Sequence, residues 1–288
     1  MFGNAHRVFL ITLLACIVHP GSAQAPIFTF TLIPYGTPDV TSLLAAAINA
    51  SGDVVGSLRN AAGSHGFLLK RCCSTGPIII DHPDGANFTL TGINDHGQIV
   101  GYYRKEESRP AIEASHAFLL ERGVFTTIAY PRSRQTRIYG INNAGVMVGR
   151  AVRPGGGFLY SQGEFTPIEC PDGSRANPRG INNKQQVAGF CGRNSIFFWE
   201  GGQTWILEFD SPPSRTAIVA SGINDNGDIA GHYFIDNRER RGFLLTGAPE
   251  NPVFTTVHPG PSAVVGDINN NGQIVGFMAS GSFVGTPR

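Results

Sequence analysis

The sequence predicts an all-β fold, a six-bladed β-propeller of four-stranded blades whose ring is closed by the N-terminal strand pairing with the last blade. Three observations lead there. A ten-residue pattern occurs six times, as AINASGDVVG (47–56), GINDHGQIVG (92–101), GINNAGVMVG (140–149), GINNKQQVAG (180–189), GINDNGDIAG (222–231) and DINNNGQIVG (267–276). Its isoleucines, Ile48, Ile93, Ile141, Ile181, Ile223 and Ile268, lie 40 to 48 residues apart, a period that belongs to propellers and solenoids. The chain ends are also offset by one strand, which a ring exploits and an open stack does not.

In chain order, residues 1–25 read as a secretory signal peptide. Arg7 supplies the positive start, VFLITLLACIV (8–18) the apolar core and AQA (23–25) the cleavage site. The expected product is a single propeller domain, 26–288, secreted or periplasmic after cleavage near Ala25. A lipoprotein signal at Cys16 is the alternative, but it leaves a core of only seven residues. No later apolar run approaches the roughly 18 residues needed to span a bilayer.

FTFTLI (28–33) matches the fourth strand of later units, VFTTIAYP (124–131) and VFTTVHP (253–259), whereas the chain ends in GSFVG (281–285), a third strand. The last blade thus lacks the strand that the N-terminus supplies. Unit three displays a whole blade: TRIYGIN, VMVGRAV, GGFLYSQ and EFTPIEC, all short, rich in β-branched and aromatic residues and bounded by turn formers. TSLLAAAINA (41–50) alone has helical character, though its Ile48 and Asn49 belong to the repeat.

Between the first two strands, the side chains of Asn49, Asn94, Asn142, Asn182, Asn224 and Asn269 are expected to cap type I turns. Left-handed Gly52, Gly97, Gly145, Gly227 and Gly272 close them. Unit four has Gln185 at the glycine position, so its turn is either strained by about 1 to 2 kcal/mol or of another type. This turn also answers the metal question. Asn224, Asp225, Asn226 and Asp228 resemble the start of a calcium loop, but the downstream Glu is missing and the same turn recurs without the aspartates. We expect no cofactor, with calcium as the alternative at that turn.

The combination of GINxxGxIVG, HAFLL (116–120) and FTTIAYP (125–131) resembles the extracellular repeat of the HAF family, across all six units. Variants of the HAF strand are HGFLL (65–69), GGFLY (156–160), SIFFW (195–199), RGFLL (241–245) and GSFVG (281–285). The resemblance implies export from bacteria and a propeller-like fold, and no assigned activity. Only His65 and His116 keep the histidine of the tripeptide, which argues against its being catalytic.

No hydrolase elbow, HExxH, phosphate loop or dinucleotide fingerprint occurs. Without the leader the chain carries 21 basic and 21 acidic residues, so no global charge draws it to nucleic acid. A monomer is expected. Cys72, Cys73, Cys170 and Cys191 remain, an even number suited to an oxidising compartment. A bridge is expected between Cys170 and Cys191; Cys72 and Cys73 form either a vicinal bridge or two free thiols.

Strand alternation sends the loops after second and fourth strands to one face of the disc. That face is assigned 16 basic and 8 acidic residues, including Arg137, Arg150 and Arg179. An SR dipeptide recurs there as Arg134, Arg175 and Arg215. Arg104, Arg238, Arg240, Arg241, Tyr102, Tyr103, Tyr233 and Phe234 lie in its long loops, the aromatics placed to stack on sugars. The function read from this is an exported, non-catalytic binding module that recognises an anionic polymer, such as an acidic glycan, or a cell-envelope partner. The alternatives are a propeller hydrolase, lyase or dehydrogenase with its site at the channel mouth, and a purely structural envelope protein.

Overall fold

The computed structural model describes residues 27–34, 39–71, 76–83, 86–104, 114–152, 155–210, 215–235, 239–247 and 249–288. It is a six-bladed β-propeller of four-stranded antiparallel blades, with no helix among the described residues. Strand β1 (Phe28–Leu32) precedes blade one, which is β2 (Ser42–Ile48), β3 (Val54–Asn60), β4 (Gly63–Leu69) and β5 (Ile78–Ile80). Blade two is β6 (Ala86–Ile93), β7 (Ile99–Arg104), β8 (His116–Glu121) and β9 (Val124–Ile128). Blade three is β10 (Gln135–Ile141), β11 (Met147–Val152), β12 (Gly157–Ser161) and β13 (Glu164–Ile168). Blade four is β14 (Ala176–Ile181), β15 (Val187–Cys191), β16 (Ser195–Glu200) and β17 (Gln203–Ile206). Blade five is β18 (Arg215–Ile223), β19 (Ile229–Ile235), β20 (Glu239–Thr246) and β21 (Val253–Val257). Blade six has β22 (Val264–Ile268), β23 (Ile274–Met278) and β24 (Gly281–Pro287), and takes β1 as its outer strand with Phe28 opposite Pro287 and Leu32 opposite Phe283.

The helical character of 41–50 is not realised. Leu43, Ala45 and Ala47 are buried between blades while Leu44 and Ala46 face the channel, so period-two burial overrides alanine's helix propensity. The signal segment, Cys72 and Cys73 lie outside the described residues.

The motif residues that recur in every unit are explained by packing. In each blade the glycine that ends the repeat pattern stands opposite the phenylalanine of the third strand: Gly56 and Phe67, Gly101 and Phe118, Gly149 and Phe158, Gly189 and Phe197, Gly231 and Phe243, Gly276 and Phe283. A Cβ at any of these glycines would run into a carbonyl oxygen of the first strand and lie within 3.0 Å of the ring. Glycine lets the ring lie flat on the backbone, and all six rings are fully buried.

The turn asparagines do two jobs. Their Oδ1 atoms accept backbone N–H groups of their own turns, as in Asn142 with Ala144 and Val146. Their Nδ2 atoms donate to the backbone carbonyl of the next blade's asparagine: Asn49 to Asn94, Asn94 to Asn142, Asn142 to Asn182, Asn182 to Asn224, Asn224 to Asn269, and Asn269 back to Asn49, at 2.8 to 3.4 Å. The result is a closed belt around one mouth of the channel. A second belt outside it joins the following residues through Asp95, Asn143, Asn183, Asp225 and Asn270. It is interrupted where Ala50 offers no side-chain acceptor. Of the oxygens that looked like calcium ligands, those of Asp225 accept from Asn183 and Asn270 of the neighbouring blades, while Asn224 Oδ1 and Asp228 Oδ2 are engaged within their own turn.

Two further contacts secure the seam between blades six and one. Ser282 Oγ donates to the Leu43 carbonyl at 2.7 Å and accepts from Ala45 N–H. Asp267 Oδ2 accepts from Ile48 N–H at 3.1 Å. The expected disulfide between Cys170 and Cys191 is present, tying the connection into blade four to the end of β15.

Candidate functional site

The first strands of neighbouring blades touch all the way round the ring, so together they wall a central channel. Each carries a bulge at the same repeat position, and the extra residues are Ala46, Thr91, Tyr139, Arg179, Ser221 and Gly266. A bulge re-aims a side chain at little cost to the ladder. All six residues line a chamber of about 390 Å³, and all but Ala46 also border a narrower space of about 80 Å³ behind the asparagine belt. The scaffold positions around them repeat; this position differs in every blade.

One arginine, Arg179, lines the chamber, and Arg137 and Arg150 stand close enough for their charges to act on it. Arg179 lies over the ring of Tyr139 at 3.9 Å and that of Phe190 at 5.4 Å, and its Nε is sealed from solvent without a hydrogen bond. Arg137 lies 4.8 Å over Tyr102 and donates from Nε to Ser115 Oγ at 3.3 Å. Arg150 donates to Asn177 Oδ1 at 2.7 Å. Among the described residues none of these three arginines pairs with a carboxylate. Burial draws the Arg179 pKa below its ordinary value; Tyr139 opposes this and the charges of Arg150 and Arg137 reinforce it.

His232, on β19 of the next blade, also lines the chamber. Burial pushes its pKa down to about 4, against the pull of a hydrogen bond to the Val265 backbone and aided by Arg240 and Arg179. The ring is therefore neutral at physiological pH. Its Nδ1 is enclosed without a partner, so Nε2–H is the atom given to the Val265 carbonyl, and Nδ1 presents a lone pair. Asp267 borders the narrow space behind, half-buried, where burial raises its pKa to about 7 against the N–H groups of Ile48 and Ile268.

The residues expected from sequence divide. Arg134 and Arg175 are exposed and lead into β10 and β14, at the channel mouth opposite the asparagine belt. Arg215 opens β18 at the same mouth. Arg137 and Arg179 follow on β10 and β14, so the basic rim continues into the channel; these two, with Arg150, belong to strands and not to loops. Arg240 is exposed, 5.4 Å over Phe234. Arg241 is paired with Glu239 at 3.0 Å, and Arg104 ends β7 half-buried. Arg238 lies outside the described residues.

Tyr103 and Tyr233 do not serve a surface. They are 2% and 1% exposed. Tyr103 stacks on His82 at 3.8 Å and Tyr233 reaches Thr256. Side chains alternate along a strand, so the neighbours Tyr102 and Phe234 are the aromatics that meet arginines. Tyr139 and Ser221 were not singled out by sequence, and Arg179 was counted there only among the loop charges of the basic face. The signal for these three was variation, A, T, Y, R, S and G, in the residue two before the isoleucine of an otherwise regular motif; His232, on β19, lies outside that position. Among the described residues no group of three or more His, Cys, Asp or Glu is placed to hold a metal ion.

No family model and no curated protein matches the sequence. Solved structures do. The PQQ-bound aldose sugar dehydrogenase of Streptomyces coelicolor aligns with a TM-score of 0.50 at 12% identity, over 92% of this chain and 100% of that one. A Thermus thermophilus protein assigned as a glucose dehydrogenase gives 0.51 at 12% identity, over 91% and 100%. A protein assigned as a gluconolactonase gives 0.53 at 9% identity, over 91% and 92%. At such identities the likeness is one of fold.

Proposed function

We propose that the protein is an exported, non-catalytic binding module that takes an acidic glycan on the face opposite the asparagine belt. One observation carries this reading: Arg137, Arg150 and Arg179 face aromatic rings and neutral oxygens in place of carboxylates, below a rim holding Arg134 and Arg175. Guanidinium groups that meet no carboxylate among the described residues, in a partly enclosed, low-dielectric mouth, favour an anionic ligand. Aromatic surface beside them suits stacking on sugar rings. Export follows from the signal-like residues 1–25 and the HAF-type repeat.

The test is retention on an array of neutral and acidic glycans at low and moderate salt. Wild-type protein should retain acidic glycans in a salt-sensitive manner, and the Arg134→Ala, Arg175→Ala, Arg215→Ala variant should lose them. Indifference to every anion overturns the reading.

A catalytic reading draws on Asp267, whose pKa of about 7 suits proton transfer near neutrality. Its Oδ2 is already committed to Ile48 N–H, and we assign it to the seam. Turnover of an acidic glycan that disappears in Asp267→Asn would reverse that assignment.

A further inference from the structure

We propose that the larger chamber is a subsite for a single acidic sugar residue, a hydroxylated carboxylic acid whose carboxylate lies on Arg179 and one of whose hydroxyls donates to His232 Nδ1. The proposal rests on the glycan reading above and narrows it to recognition of a chain end or free monosaccharide inside the channel.

The chamber is about 390 Å³, within the roughly 300–1,000 Å³ of small-molecule sites. Two residues of its wall each hold an enclosed polar atom without a partner, Arg179 on β14 its Nε and His232 on β19 its Nδ1. An enclosed polar group without a partner is costly, so a ligand that satisfies both gains what the protein leaves unmade. The two atoms make opposite demands. Arg179 offers a charged donor, and His232, with Nε2–H engaged by Val265, offers an acceptor.

Sulfate, which has no O–H at neutral pH, would satisfy Arg179 but bring oxygen lone pairs toward His232 Nδ1. A neutral sugar would satisfy His232 and leave Arg179 without an anion. A carboxylate with hydroxyls a few bonds away meets both. The remaining wall fits the same class. Ser57, Thr89 and Ser221 supply hydroxyls, while Leu44, Val219 and Phe277 supply apolar surface for ring carbons. Thr91 is excluded, because its hydroxyl is held by the Ile138 and Val100 carbonyls.

The experiment is titration calorimetry of residues 26–288 with D-galacturonate, D-galactose and inorganic sulfate. Galacturonate should bind one to one, and galactose and sulfate at least about tenfold more weakly. Arg179→Gln should weaken galacturonate by roughly 10- to 100-fold, the range for hydrogen bonds to charged groups, and His232→Phe by about fivefold or more. In wild-type protein the ¹⁵N resonance of His232 Nδ1 should move on saturation, a readout that serves even where a variant fails to fold.

Equal affinity for sulfate and galacturonate, unchanged affinity in folded Arg179→Gln, or an unmoved Nδ1 resonance overturns the proposal. Polygalacturonate, run with the rim triple variant, separates the two readings. Polymer binding lost in that variant beside a failed monosaccharide titration leaves the rim reading standing alone. Monosaccharide binding without polymer binding does the reverse.

Discussion

Gln185 holds a φ of 61° at a position where the other five turns have glycine. Its N–H still bonds to the Asn182 carbonyl at 3.1 Å, as the glycines bond to their own asparagines, so the turn keeps its type and accepts the strain. Gln185→Gly should raise stability by about 0.5 to 1 kcal/mol, the relief of left-handed strain less the glycine entropy cost. Denaturant unfolding would reveal it as a higher midpoint at constant slope. Two titrating residues oppose each other. The Asp267 carboxyl rises from 3.8 to about 7, so the folded state holds its proton; its contribution to stability is whole below pH 3.8 and fades as pH rises through 7. His232 falls from 6.5 to about 4, so its contribution is whole above pH 6.5 and fades as pH falls through 4. Asp267→Asn keeps an oxygen for Ile48 N–H and removes the first effect. Its unfolding free energy relative to wild type should grow between pH 4 and 7, and a flat difference would contradict the raised pKa.

At the scale of the element, each blade is held by its glycine–phenylalanine pair and joined to the next through its asparagine. Gly149→Ala places a methyl against the Arg137 carbonyl and the Phe158 ring, and should cost about 1 to 3 kcal/mol, the usual range for overpacking. Asn142→Ala removes the two bonds its Oδ1 accepts within the turn and the bond its Nδ2 donates to Asn182. We expect a loss of about 2 kcal/mol or more, because the Val146 N–H and the Asn182 carbonyl stay buried. Asn143→Ala, in the exposed outer belt, should cost less than half as much; equal losses would show that the inner belt carries no special weight. The repeat made these elements legible from sequence, because period-two burial and turn chemistry are local. It did not reveal the belt. An asparagine that caps its own turn reads the same whether or not its amide reaches a neighbouring blade.

Across the whole molecule, closure depends on β1. Phe30 meets Phe283 edge-on at 5.6 Å, and Arg288 Nε donates to Thr29 Oγ1 at 2.8 Å. Deleting residues 26–33 would leave β24 as a bare sheet edge, which invites pairing with another chain. The shortened protein should melt lower and elute in larger species than residues 26–288; an unchanged monomer would show that the ring closes without its N-terminal strand. The sequence by itself determined the number of blades, the strand order and the offset that closes the ring, because each is written in spacing or local pattern; the Cys170–Cys191 bridge was expected from the even cysteine number and located by the fold. Only the tertiary structure decided the site. It turned Tyr103 and Tyr233 into the core and brought Arg179 and His232 from different blades to one chamber. The physical reason is convergence. Six first strands meet at one axis, so residues far apart in the chain become neighbours there, and a one-residue bulge on each strand decides which of them faces the channel.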